Sequence, residues 1–150
     1  WLENLRTHNA IIEQTTEEHS GTVVETQGDG SMLAFPSARR AVACARSIQR
    51  AVGGAFAEAS PPIAVRIGVH TGDAIHEDDH FFGTTVHYAA RVASEALGGE
   101  VVVSSVVHDL VAGPGVDFRE SREAELKGLS GLHRLFAVDL IERGESPTNR

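Results

Sequence analysis

The 150-residue chain has one cysteine, Cys44, so no internal disulfide can staple it. A lone thiol points to a reducing compartment, and the expected location is the cytoplasm. Aromatic residues make up only 5%, too few for an RNA-stacking sheet. Basic residues are also scarce, 13 Lys and Arg against 21 Asp and Glu, for a net charge of -8. That excludes the broad basic surface a nucleic-acid binder needs, while a few placed cations still suffice for a small phosphate ligand. No apolar run reaches the roughly 20 residues that cross a bilayer. No signal peptide, repeat or low-complexity segment is present. What remains is ordinary: 41% hydrophobic and 23% charged residues, in a length that builds one core. The chain opens on Trp1-Leu2-Glu3 with the helical spacing of Leu2, Leu5, Ile12 and Thr16 already running, which predicts a piece of a longer protein.

Periodicity predicts a helix to about His19, a strand over 22–26, a turn at Gln27-Gly28-Asp29-Gly30, and a returning strand over 31–35. Ser37 is positioned to cap a second helix through Ala41, Val42, Ala45, Ile48 and Val52, with Cys44 as a packing residue and a loop from Gly53 to Pro62. Ile63, Val65, Ile67 and Val69 alternate as a strand, with Arg66, Gly68 and His70 on its other face. A short strand over 74–76 and a third helix over 84–97, with Val86, Ala90, Ala93 and Leu97 as its core stripe, come next. A strand over 100–104, a short helix to Ala112 and two closing strands over 117–124 and 132–140 complete residues 1–141 as one domain, and 142–150 reads as a polar tail. The order implies an α+β sheet with helices on one face.

Three places stand out chemically. Asp29 sits between two glycines at a hairpin tip, either as a plain turn residue or as a carboxylate offered to a metal on a nucleotide. His87 and Arg91, four apart, share one helix face; the plain reading is solvated polarity, the sharper one a pair aimed at a negatively charged transition state. Lys127 in Glu125-Leu126-Lys127-Gly128 is either a surface lysine or a phosphate ligand. His70, His76, His80 and His87 lack a zinc spacing.

Taken in order, Val24-Glu25-Thr26-Gln27-Gly28-Asp29-Gly30, Val65-Arg66-Ile67-Gly68-Val69-His70-Thr71-Gly72, Phe82-Gly83-Thr84-Thr85-Val86-His87-Tyr88-Ala89-Ala90-Arg91-Val92 and Glu125-Leu126-Lys127-Gly128-Leu129 resemble class III adenylate and guanylate cyclases. The resemblance implies a ferredoxin-like domain with its first strand missing here, working as a homodimer in intracellular signalling. It implies two Mg²⁺ or Mn²⁺ ions, with Asp29 as the second metal aspartate; the first would lie before Trp1, so the piece alone is expected to be inactive. It makes Arg91 the transition-state arginine, Lys127 the ligand of the terminal phosphates, and His87 the occupant of a position usually held by asparagine. Glu25 and His80 fall where the purine is read. Glu25 matches guanylate cyclases, and its carboxylate suits the two donors on guanine's edge, while His80 matches neither pattern. ATP is the first-choice substrate and GTP the second. Composite sites are implied, with metal and purine groups from one subunit and His87 and Arg91 from the other. A catalytically silent regulatory dimerisation domain is the competing reading. A diguanylate cyclase is excluded by the hairpin sequence.

Overall fold

The computed structural model describes residues 2–27, 30–73, 75–77 and 80–141. Its elements are α1 (Leu2–Glu18), β1 (Thr22–Gln27), β2 (Gly30–Ala34), α2 (Ala38–Ala55), β3 (Ile67–Val69), β4 (Ile75–Glu77), β5 (His80–Phe82), α3 (Thr84–Ser94), β6 (Val101–Ser104), α4 (Ser105–Val111), β7 (Phe118–Leu126) and β8 (Leu129–Val138). A four-stranded sheet runs β3-β6-β8-β7, with β3 parallel to β6 and the other pairs antiparallel. β1–β2 and β4–β5 form two separate antiparallel hairpins. The expected tail, 142–150, lies outside the described residues.

The α+β, ferredoxin-like class holds, but the expected placing of helices on one face is corrected, because strand parity sets them on both. Val101 and Val103 pack with Val42 and Ala45 of α2 and Val107 and Val111 of α4. Val102, pointing the other way as alternate strand residues must, packs with Val92, Ala96 and Leu135. So α2 and α4 cover one face of the sheet, while α3 sits on the opposite face. β6 is therefore buried on both sides, and each of its three fully enclosed valines contributes about 1.5–3 kcal/mol of apolar burial. α1 adds Ile12 to a neighbouring cluster with Cys44, Ile48 and Val52 of α2.

Ser37 caps α2 as expected, its side chain accepting from Arg40 N at 3.2 Å. Four local expectations are corrected. α2 continues through Gly53 and Gly54, because Phe56 beyond them docks into the α1–α2 cluster and its N–H closes on Val52 O. The ladder of β3 spans only 67–69; just before it, the carbonyl of Val65 accepts from the Gln49 side chain and Gly99 N, both at 2.8 Å. His80–Phe82 forms β5, a strand not anticipated from three residues beside an acidic loop. α3 ends at Ser94 and turns Tyr88 and Val92 inward, with Ala96 buried just beyond its end; Leu97 is 65% exposed, and Ala90 faces outward.

Candidate active site

α3 is seated by Gly68. A Cβ there would stand 2.2 Å from Ala93 N and 2.5 Å from Ala93 Cα. Helix backbone thus lies directly on strand backbone, an approach only glycine permits. This seat turns Tyr88, Val92 and Ala96 into the sheet and leaves His87 and Arg91 on the adjoining stripe.

His87 meets the β7–β8 turn. A Cβ on Gly128 would stand 2.9 Å from His87 Nε2, and Gly128 has a φ of +83°. The positive φ is what favours glycine there, since the imidazole tip could shift to admit a Cβ. Lys127 immediately precedes it, exposed, on an open concavity of about 540 Å³ lined by residues 125–131. Arg91 lies in the last turn of α3, where a cation complements the helix dipole. That dipole does not explain its Nε, which is buried and finds no hydrogen-bond partner among the described residues. A buried donor without a protein partner is costly unless water or a ligand completes it, and Thr16 Oγ1 on α1 is in the same condition. His87, Arg91 and the Lys127 turn thus come from two distant stretches to one side of the sheet.

The other expected residues are placed less fully. Glu25 is exposed on β1, opposite Met32 and just past a bulge, and β1 runs beside β5. His80 opens β5, paired in register with Glu77; its side chain lies outside what the structure describes. Asp29 also lies outside the described residues, between Gln27 and Gly30, which pair as the last register of the hairpin. No three His, Cys, Asp or Glu side chains converge among the described residues in a way that could hold a metal. His70 is engaged elsewhere, with Nδ1 2.7 Å from Ser104 Oγ.

Two networks around α3 were not read from the sequence. His70 stacks on Tyr88 with centroids 4.1 Å apart, and Tyr88 Oη lies 2.8 Å from His133 Nδ1. Burial lowers the pKa of His70 and raises that of Tyr88, so both are neutral near pH 7. Behind the helix, Glu100, its side chain 8% exposed, accepts from both Arg122 Nη atoms at 3.1 and 2.9 Å, from Arg119 at 3.3 Å and from Leu97 N at 2.8 Å. The Arg122 hydrogen bonds hold the Glu100 carboxyl below its ordinary pKa. A charged residue directly before an apolar strand was the available signal for Glu100; its partners across the sheet carried none.

The family profile described as "Adenylate and Guanylate cyclase catalytic domain" matches residues 1–139. The chain belongs to this family. A Rhizobium meliloti protein named provisionally as adenylate cyclase 3 is 32% identical over 93% of the chain and 24% of its own length. The chain therefore spans about a quarter of that relative. The solved guanylyl cyclase Cya2 is similar at a TM-score of 0.78 and 25% identity, over 91% of this chain and 79% of that one. An adenylate/guanylate cyclase/hydrolase from Silicibacter pomeroyi is similar at a TM-score of 0.77 and 28% identity, over 87% and 79% of the two chains. No helix among the described residues is long and apolar enough to cross a membrane.

Proposed function

We propose that this cyclase domain converts ATP to cyclic AMP and pyrophosphate in intracellular signalling, as a homodimer with composite sites. The observation that carries this reading is the packing of His87 against the Lys127–Gly128 turn, one helical turn from the buried, unpartnered Nε of Arg91. That arrangement offers two cations and one imidazole to a polyphosphate. The ATP assignment leans on the Rhizobium relative's adenylate cyclase name. GTP is the second reading, favoured by Glu25, whose carboxylate accepts from both N1–H and the amino group of guanine.

A lone carboxylate at a hairpin, which the sequence offers in Asp29, suits a divalent ion whose other ligands are phosphate oxygens and water. Two such ions, when bound, supply acidity to the attacking ribose 3′-hydroxyl and neutralise the phosphates. Lys127 holds the terminal phosphates as a point charge. Arg91 donates to the α-phosphoryl oxygens as their charge grows, and His87 contributes one further donor. Attack on the α-phosphorus then expels pyrophosphate, whose charge Lys127 shares.

Arg91→Ala is expected to lower kcat by about 10²–10³-fold with a small change in KM, the behaviour of a lost transition-state donor. The test assays the chain within its full-length protein with ATP and GTP, each with Mg²⁺ and Mn²⁺. Mixing Asp29→Ala with Arg91→Ala subunits should restore activity through one intact site per heterodimer. No turnover of either nucleotide by the full-length protein would leave the silent regulatory domain as the better reading.

A further inference from the structure

A hydrogen-bonded path joins α3 to the first residues of β8, which follow the Lys127–Gly128 turn. Tyr88 Oη lies 2.8 Å from His133 Nδ1, and His133 Nε2 lies 2.9 Å from the carbonyl oxygen of Ser130. A carbonyl only accepts, so Nε2 carries the proton and donates to Ser130; the neutral Nδ1 then accepts from the Tyr88 hydroxyl. The phenol keeps its proton, since burial raises its pKa. On its other side Tyr88 is clamped by His70, stacked at 4.1 Å and 20° and itself bonded to Ser104, the N-cap of α4. His133 also meets Tyr88 edge-on, with centroids 5.2 Å apart.

The two ends of this path matter for the site. Tyr88 lies between His87 and Arg91 on α3, and Ser130 is the second residue of β8, just beyond the Lys127–Gly128 turn, so holding it anchors the strand end from which that turn springs. Neither Tyr88 nor His133 lines the concavity of residues 125–131. We propose that Tyr88 and His133 are positioning residues: they fix the Lys127 turn against the helix carrying Arg91, so that lysine and arginine meet one polyphosphate in register. This rests on the cyclase reading of Lys127 and Arg91. The plain alternative is that Tyr88 only packs, which it does against the cluster of Val92, Ala96, Val102, Leu126 and Leu135. That alternative predicts lost stability with no link to Lys127.

A double-mutant cycle separates the two. Tyr88→Phe keeps the ring stack on His70 and removes the hydroxyl. KM for MgATP and MgGTP, and the Kd for magnesium tripolyphosphate by calorimetry, are measured in the full-length protein for wild type, Tyr88→Phe, Lys127→Ala and the double variant. Tyr88→Phe is expected to raise KM and Kd about 3- to 10-fold, the effect of one hydrogen bond, with kcat within about 3-fold. In the Lys127→Ala background the same change should move both by less than about 2-fold, because the group it positions is gone. An equal effect in both backgrounds overturns the proposal. His133→Gln runs the same cycle should Tyr88→Phe fail to fold. If wild type binds tripolyphosphate without turnover, the cyclase reading fails alone and the affinities still decide the positioning role. If it does neither, both fail.

Discussion

Substituting the glycine under α3 tests how the site helix is held. Gly68→Ala places a Cβ 2.2 Å from Ala93 N and 2.5 Å from Ala93 Cα, where real Cβ contacts stay beyond 3.0 Å. Both atoms are backbone, so no rotamer change relieves the clash, and α3 must retreat by about 0.8 Å. A retreat of that size forfeits a quarter to a half of each dispersion contact across the seam, here those of Val92 and Ala96 with Val102 and Leu135. Overpacking of this kind destabilises by about 1–3 kcal/mol, and a backbone clash belongs at the upper end. Urea or thermal unfolding should show a loss of about 3 kcal/mol, a fall in Tm of roughly 6–12 °C for a chain of this size. Ala93→Gly removes only the 2.9 Å Cβ contact and should not rescue. Gly53 and Gly54 in α2 are the controls, since nothing lies within 4 Å of a Cβ at either. Alanine there should stabilise by about 0.5–1 kcal/mol each. The reasoning fails if Gly68→Ala unfolds like wild type, or if Gly53→Ala is as harmful.

Glu100→Gln should destabilise by about 2 kcal/mol in urea titrations at pH 7, because it weakens two charge-assisted bonds to Arg122 and leaves the guanidinium poorly paired. The Glu100 pKa is depressed in the folded state, so its contribution is complete above the unfolded value near 4.5 and lost as pH falls through the folded one; the variant should flatten the acid limb of the stability curve, and an unchanged limb would refute this. Cys44, wholly buried and with its thiol pushed up to about 11 mainly by desolvation, should resist alkylation at pH 8 until the chain unfolds; rapid native labelling followed by mass spectrometry would contradict that. Glu25→Lys should shift kcat/KM from GTP toward ATP by at least about 10-fold, since an ammonium cannot accept from guanine's edge; an unchanged ratio would remove Glu25 from purine selection.

Much of the fold was legible because it is written locally. The Ser37 cap, the 3.6-residue spacing of Val42, Ala45, Ile48 and Val52, and the turn at Lys127-Gly128 each depend on neighbours a few residues away. The stripe of α3 was read from Val86, Ala90, Ala93 and Leu97; Ala93 does lie on the sheet over Gly68, but Ala90 and Leu97 are exposed, and small alanines all round that helix hid the difference. Burial of Tyr88, Val92 and Ala96 was decided by how closely Gly68 lets the backbone approach. β5 was missed because a three-residue strand has no periodicity to detect. Leu97 was counted as core from its side chain alone, yet it falls beyond the helix end and is exposed.

By itself the sequence determined the order of elements, the α+β class, the cyclase resemblance, and His87, Arg91 and Lys127 as residues worth watching. Only the tertiary structure brought His87 against Gly128, buried Arg91 Nε without a partner, bound Glu100 to Arg122, and threaded Tyr88 to His133. The reason is range. Propensity and periodicity act over one or two turns of chain, whereas each of these contacts joins separate elements whose meeting depends on how α3 lies across the sheet.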